Sequence, residues 1–253
     1  MKMPPIDQRR VREKMDEYMS RRDYAGAEKH LLYWLEEARM AGDLRGELMV
    51  RGELIGHFRK TGNREGALHQ SDEALRLLEE MEFGGTITSG TTYVNIATAC
   101  NAFGENERSL QMFQKAQQVY ESIPSTEPQL LGGLYNNMAL TLVSLRRFEE
   151  AMSYYEKALA QMAKVPGGEL EQAITYLNMA DVWDLQLGSE EAESKVQPLV
   201  DKACELLEKR PESVEEGYYA FVCEKCAPSF EYYGYFLAAE ELKERARKIY
   251  ERT

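Results

Sequence analysis

Apolar residues along this chain recur at intervals of three and four, the spacing that places side chains on one face of an α-helix. One clear example carries Tyr135, Met138 and Leu142 before a short polar turn, and Tyr155 and Ala158 after it. The chain contains no sustained alternation of β-branched and polar residues, so no β-sheet is expected. The pattern therefore predicts an all-α protein built from helical hairpins.

The turns of these hairpins recur at a fixed interval. Gly62, Gly104, Arg146 and Gly188 each lie 42 residues from the next. Equal spacing of equivalent turns indicates internal repeats, in which each hairpin buries its apolar face against its neighbours. About six hairpins are expected, together forming a single domain over residues 1–253. Their approximate limits are 6–42, 43–82, 88–122, 127–164, 168–209 and 211–253.

Three places depart from a regular repeat. Pro198 falls inside the second helix of the fifth hairpin, where a kink or an early break is expected because proline removes a backbone hydrogen bond. Arg51 and Ser71 stand where large apolar residues are usual. The segment 84–91 is rich in Gly and Thr but lacks the Lys of a phosphate-binding loop, so it is predicted to be a link whose Thr or Ser caps the next helix.

The repeating residues resemble the tetratricopeptide repeat (TPR). The fourth hairpin shows the pattern best, with Tyr135, Met138 and Ala139 on its first helix and Tyr155 and Ala158 on its second. The long repeat with an asparagine on the first helix is similar to the repeats of kinesin light chain and of bacterial peptide-pheromone receptors. This resemblance implies a right-handed superhelical solenoid of TPR-like hairpins, whose first helices line a concave groove that binds another protein or a peptide.

Asparagines occupy equivalent places on three of the expected first helices. Asn95, Asn137 and Asn178 each lie two residues after a tyrosine, whereas Glu53 takes this place in the second hairpin. An Asn side chain has both a donor and an acceptor, so it can bond the backbone of an extended peptide. In the similar peptide-binding families, asparagines at such places hold the ligand backbone. The alternative is that these asparagines are structural and bond a neighbouring helix or solvent.

The expected peptide-binding set extends to neighbours one helical turn away on the same face. In addition to the three asparagines it contains Thr98, Asn101, Asn136, Leu140, Asp181 and Asp184. Leu140 supplies an apolar patch and the two aspartates a negative one. If the groove is acidic overall, its ligand should carry a basic side chain or a positively charged N-terminus.

Charge and composition narrow the classes of partner. The chain has 43 acidic and 31 basic residues, a formal net charge of −12, which repels polyanions and argues against nucleic acid as a partner. No stretch approaches the roughly 18 to 20 apolar residues of a membrane-spanning helix, and the first residues lack the apolar core of a secretory signal. A cytoplasmic protein without a membrane partner is therefore expected.

Cys223 and Cys226 form the one motif that suggests chemistry. A zinc site would need a second pair of ligands, and a redox site would need a strand and helix around the cysteines. Neither is found in the sequence, so both cysteines are expected to pack in the core. No cluster of nucleophile, base and orienting group is evident, and the expectation is a protein with no catalytic residue, metal or cofactor.

Two further functions stay open at this point. The chain could be a scaffold or self-association module, for example a homodimer, that uses a convex or terminal surface while the groove is idle. It could also be a sensor or regulatory domain. Peptide binding is the primary prediction because the asparagines repeat with the hairpins.

Overall fold

The computed structural model describes residues 4–252, and these form twelve α-helices and no β-strand. The helices are α1 (Gln8–Ser20), α2 (Tyr24–Ala41), α3 (Leu44–Thr61), α4 (Arg64–Glu80), α5 (Ile87–Ala102), α6 (Asn106–Ser122), α7 (Pro128–Ser144), α8 (Phe148–Met162), α9 (Glu169–Leu187), α10 (Ser189–Leu207), α11 (Glu216–Tyr232) and α12 (Phe236–Tyr250). Each odd-numbered helix packs closely against the next even-numbered one. The predicted all-α fold of helical hairpins is confirmed.

The helices divide between two compact units, Met1–Pro124 and Ser125–Thr253. The N-terminal unit contains α1 to α6 and the C-terminal unit contains α7 to α12. Each unit buries its own apolar side chains, such as Leu31 and Leu54 in the first and Leu170 and Phe230 in the second. The single domain over residues 1–253 stays a prediction, and residues 1–3 and 253 at its ends lie outside the described residues.

The turns inside the hairpins depend on left-handed backbone conformations. A residue with positive φ lies in each of them: Arg22, Gly62, Gly104, Arg146, Gly188 and Gly234. Glycine adopts this conformation readily because it has no Cβ, whereas Arg146, at a φ of 57°, bears a steric cost. All four turn positions found from the 42-residue spacing are therefore true turns.

The ends of the helices follow the capping residues in the sequence. Asp23, Asp43 and Asn63 accept backbone hydrogen bonds at the starts of α2, α3 and α4. Thr86 and Ser89 form a reciprocal capping box at the start of α5, where each side chain accepts a bond from the other residue's backbone N–H. The predicted cap in the link 84–91 is thus confirmed.

The predicted early break at Pro198 is wrong. Helix α10 runs without interruption from Ser189 to Leu207 with Pro198 inside it. The proline lies on the exposed face of the helix, so water can bond the backbone carbonyl of Ser194, which loses its usual N–H partner.

Arg51 is buried and paired, although it stands where the repeat usually has an apolar residue. Its side chain on α3 is 4% exposed and donates to Glu47 Oε1 through Nε at 3.0 Å and Nη2 at 2.6 Å. Its Nη1 donates to Gln70 Oε1 on α4 at 2.5 Å. Ser71 is also buried, and its hydroxyl donates to the backbone carbonyl of Ala67. The irregular second hairpin is therefore held by a buried polar network between α3 and α4.

The four cysteines are free thiols, and Cys223 and Cys226 are buried in the core of the C-terminal unit. Burial raises the pKa of the Cys223 thiol and raises that of Cys226 to about 12. Both thiols therefore stay protonated at neutral pH, and their placement agrees with the predicted packing role.

Tyr155 is fully buried on α8, and its hydroxyl has no hydrogen-bond partner among the described residues. Burial accordingly raises the pKa of Tyr155. Because a buried unsatisfied hydroxyl destabilises the folded state, Tyr155→Phe is expected to raise the free energy of unfolding by about 1 kcal/mol. Urea denaturation measures this change.

The matched control for Tyr155 is Tyr120, whose buried hydroxyl lies 2.9 Å from Thr91 Oγ1. Tyr120→Phe is expected to lower the free energy of unfolding by about 1 kcal/mol because it removes a satisfied bond. Equal destabilisation by both substitutions would mean that the Tyr155 hydroxyl does have a partner in solution.

Candidate functional site

The predicted site residues of the C-terminal unit lie on α7 and α9. Helix α9 packs against both α7 and α11, which are the first helices of the hairpins on either side of it. Apolar residues such as Leu134, Met138 and Leu177 face the core, so the polar side chains between them are placed at the surface. The six predicted residues of this unit therefore belong to two neighbouring helices that are in contact.

Asn178 pairs with Asn136 across the two helices. The Nδ2 of Asn178 donates to Oδ1 of Asn136 at 3.2 Å, and both side chains are partly exposed. The hydroxyl of Thr175 also lies 3.2 Å from Asn136 Oδ1, and 2.8 Å from the backbone carbonyl of Glu171. The two asparagines are separated by 42 positions, the length of the repeat, so the same spacing that predicted the hairpins brings the two amides together.

Asn137 and Leu140 lie beside this pair on α7. Asn137 is half-buried, and its side chain has no hydrogen bond within residues 4–252. Leu140, one turn further along the helix, is 39% exposed. The surface next to the amide pair thus offers one more amide and an apolar side chain.

Asp181 and Asp184 accept hydrogen bonds from tyrosines at the end of α11. The hydroxyl of Tyr233 donates to Asp181 Oδ1 at 2.6 Å, and that of Tyr232 donates to Asp184 Oδ2 at 2.8 Å. Burial by the surrounding groups raises the pKa of Asp181, the bond from Tyr233 lowers it, and the charge of Asp184 raises it. The two carboxylates are therefore tied to α11.

Tyr232 and Tyr233 are further candidates for the site, and the set of site residues predicted from the sequence did not include them. A third one, Tyr218, donates from α11 to the carboxylate of Glu171 on α9. Its ring also stacks on Phe221, with centroids 6.2 Å apart and both side chains exposed. The dense aromatic run of residues 218–236 was the signal for these contacts, but the sequence does not tell which tyrosines reach α9.

The N-terminal unit holds three other predicted residues, all on α5. Asn95 is exposed, and its Nδ2 lies 3.7 Å from the place where a Cβ on Gly52 of α3 would be. Thr98 is half-buried and donates to the backbone carbonyl of Val94 within its own helix. Asn101 is half-buried near the end of α5. Asn95 therefore stands over a glycine and keeps an exposed amide.

Glu53 replaces the asparagine in the second hairpin, and its environment differs. The side chain is half-buried on α3, and burial raises the pKa of its carboxyl, as does the charge of Asp16, whereas Arg12 lowers it. The position equivalent to Asn95 in this hairpin is thus acidic and faces charged residues of α1.

Within residues 4–252, no three or more His, Cys, Asp or Glu side chains are grouped so that they could hold a metal ion. None of the helices in this range combines the length and the apolar character required to cross a membrane.

Comparisons with known proteins agree with the hairpin architecture. The family model for the tetratricopeptide repeat matches residues 130–196, which include most of α7, all of α8 and α9, and the start of α10. No curated protein sequence matches the chain.

Several solved structures share the fold. BtubC (BKLC) from P. vanneervenii is 19% identical, with a TM-score of 0.63, and the match covers 92% of this chain and 91% of that one. TPR-like repeats of a putative kinesin light chain from Podosopora anserina are 15% identical, with a TM-score of 0.55, covering 81% and 95%. NprR, in complex with its cognate peptide NprX, is 13% identical, with a TM-score of 0.59, covering 96% and 68%.

These structures include proteins of the kind that the repeat pattern resembles, kinesin light chain and a peptide-binding protein. At 13% to 19% identity, the similarity shows a shared fold only. Residues 130–196 are therefore tetratricopeptide repeat sequence, and the chain has the helical-hairpin fold of TPR proteins.

Proposed function

We propose that this protein is a peptide-binding TPR module, which holds an extended segment of another protein or peptide through asparagines on its first helices. The observation that carries this proposal is the pair formed by Asn136 and Asn178, two partly exposed amides on neighbouring first helices. The proposed role is binding and involves no chemical step.

The bond between the two asparagines leaves hydrogen-bonding capacity for a ligand. It uses one N–H of Asn178 and one lone pair on Asn136 Oδ1. The Nδ2 group of Asn136 and the Oδ1 atom of Asn178 then stay available as donor and acceptor. A peptide group needs one acceptor for its N–H and one donor for its carbonyl, so this pair can bind a backbone of any sequence. The mutual bond also fixes both side chains before the ligand arrives, which lowers the entropy lost on binding.

The other predicted residues have supporting roles in the proposal. Asn137 supplies a further amide beside the pair. Within the N-terminal unit, Asn95 is an exposed amide, and Thr98 and Asn101 line the surface of α5. Leu140 offers apolar contact beside the pair. Asp181 and Asp184 make the far end of the α9 surface acidic, which favours a ligand with a positive group. The complex of NprR with the peptide NprX is an example of peptide binding by this fold.

The test uses a library of random 12-residue peptides displayed on phage and selected against the full chain. Enriched peptides are synthesised with a fluorescent label, and their dissociation constants are measured by fluorescence anisotropy. The double substitution Asn136→Ala with Asn178→Ala is expected to weaken binding at least about tenfold, since it removes two or more hydrogen bonds of about 1 kcal/mol each.

The matched control is Asn106→Ala, which removes an amide at the start of α6, a second helix of the N-terminal unit. It is expected to leave the dissociation constants unchanged. Selected peptides that bind the double variant as tightly as the unsubstituted chain would contradict the role of the amide pair.

A scaffold or self-association module is the second candidate, and one observation favours it. Phe236 and Leu237 at the start of α12 are 66% and 84% exposed, which is unusual for large apolar side chains that stand next to each other. Partner binding or dimerisation that survives the double asparagine substitution but is lost in Leu237→Ser would support this terminal surface over the asparagines.

A further inference from the structure

A cleft of about 500 Å³ opens between two hairpins of the C-terminal unit. Asp184 from the last turn of α9 and Ser189 and Glu193 from the first turns of α10 line one side. Tyr232, Tyr233 and Tyr235, from the turn between α11 and α12, line the other. The aliphatic side chain of Val196 lies at the wall between them.

The three tyrosine rings are held in place by their hydroxyl groups. Tyr232 and Tyr233 donate to the aspartates of α9, and Tyr235 donates to Asp201 Oδ1 on α10 at 2.5 Å. Tyr232 and Tyr233 also contact each other edge to face, with ring centroids 5.0 Å apart and an interplanar angle of 79°. Because these contacts restrain the rings, the cleft has a defined shape without a ligand.

The cleft is negative and aromatic. Asp184 and Glu193 bring two carboxylates, and none of the described residues that line the cleft is Lys, Arg or His. The phenols stay neutral, since burial and the bond to Asp201 raise the pKa of Tyr235 to about 12, and burial likewise raises the pKa of Tyr233. Faces of neutral phenol rings attract cations, and carboxylates at the same opening add a direct charge interaction.

We propose that this cleft binds the side chain of an arginine presented by a peptide or partner protein. The methylenes of an arginine can contact Val196 and the tyrosine rings, while its planar guanidinium meets the carboxylates and stacks on an aromatic face. The same chemistry admits a lysine, but its compact ammonium stacks less well on a ring. The neutral edge of the cleft, formed by Ser189, can accept or donate one further bond.

The position of the cleft connects it to the amide pair. Asp184 stands six residues after Asn178 on α9, about 9 Å along the helix axis. The same six residues also turn the helix, so the two side chains lie about 120° apart around its axis. A peptide whose backbone binds at Asn178 can therefore reach the cleft with a side chain about four residues away. Delivery by a peptide rests on the proposed function, whereas binding of a free arginine derivative does not.

The test is an NMR titration of the full chain, labelled with ¹⁵N, using N-acetyl-arginine amide as the probe. N-acetyl-citrulline amide, which has the same shape but no charge, is the comparison ligand. The arginine probe is expected to shift amide signals of residues 184–197 and 232–235 and to bind about fivefold more tightly than citrulline, a ratio typical of a partly exposed ion pair.

Two substitutions that each remove one negative charge complete the test. Glu193→Gln is expected to weaken binding of the arginine probe about threefold, whereas Glu149→Gln, on the exposed start of α8, should leave it unchanged. Both positions are exposed, so neither change is expected to disturb folding.

The proposal is overturned by equal binding of the arginine and citrulline probes, by no shift at any probe concentration, or by equal effects of Glu193→Gln and Glu149→Gln. Binding of the arginine probe to the Asn136→Ala, Asn178→Ala variant should be unchanged. If that variant no longer binds the selected peptides but still binds the arginine probe, both proposals are supported. If the selected peptides are unaffected while the probe still binds, the asparagine role fails and the cleft proposal is retained.

Discussion

Arg51→Ala is expected to lower the free energy of unfolding of the N-terminal unit by about 3 to 5 kcal/mol. The substitution removes the guanidinium that occupies the space between α3 and α4 and leaves the carboxylate of Glu47 buried without its partner. Gln70, which is also buried, loses the donor to its Oε1 atom. An uncompensated buried charge costs far more than the loss of a typical hydrogen bond, and this difference sets the size of the effect.

The readout can be confined to one unit because the chain has two tryptophans, Trp34 in the N-terminal unit and Trp183 in the C-terminal one. In a Trp183→Phe background, tryptophan fluorescence during urea denaturation follows the N-terminal unit alone. A shift of the midpoint without a change in slope would show that stability has changed while the surface exposed on unfolding has not.

Two controls separate the buried charge from a general effect of losing an arginine. Arg39→Ala removes an exposed arginine of α2 that pairs with Glu36, and it is expected to cost less than about 1 kcal/mol. Replacing Arg51 and Glu47 together with leucine removes both charges and should recover much of the loss. A loss below about 1 kcal/mol in Arg51→Ala would contradict the expectation that Glu47 is left buried without a partner.

The hairpins and their turns were predictable because they depend on local chemistry that repeats. The 42-residue interval between Gly62 and Gly104 arises because both turns need a residue with positive φ. Arg146, another 42 residues later, also has positive φ although it is not a glycine. The cap at Thr86 depends on residues within one turn of each other. Features of this kind are encoded within a few residues, so they can be found without knowing the tertiary structure.

Features that depend on contacts between helices were harder to predict. Arg51 does not match the usual apolar core residue, and one group that pairs with it, Gln70, lies 19 residues away on the other helix of the hairpin. Its second partner, Glu47, lies four residues before it on the same helix. Asn137 and Asn178 are equivalent in the repeat, because each lies two residues after a tyrosine. In the structure, however, Asn178 bonds Asn136, the residue before Asn137. Which side chains meet depends on how the neighbouring helices pack. The tyrosines that reach Asp181 and Asp184 lie about 50 residues further along the chain, a separation that no local pattern reports.

Gly90→Ala is expected to lower the free energy of unfolding by about 1 to 3 kcal/mol, although alanine favours helix formation. A Cβ at Gly90 on α5 would overlap the ring of Tyr120 on α6. The ring cannot move away easily, since it is buried and its hydroxyl is held by Thr91. Helix α5 would have to move outward, which weakens packing along the hairpin.

The next repeat supplies matched comparisons for Gly90. Gly132 stands 42 residues later, and a Cβ there would lie 2.8 Å from Cε of Met162, a flexible side chain that can adjust, so Gly132→Ala should cost less than Gly90→Ala. A Cβ at the adjacent Gly133 would have no neighbouring atom within 4 Å, and Gly133→Ala should stabilise α7 by about 0.4 to 1 kcal/mol. Urea denaturation of the three variants therefore tests whether contacts within the hairpin or helix propensity determine the sign of the change in the free energy of unfolding. Stabilisation by all three would mean that the helices of each hairpin are not in close contact at the repeated glycine.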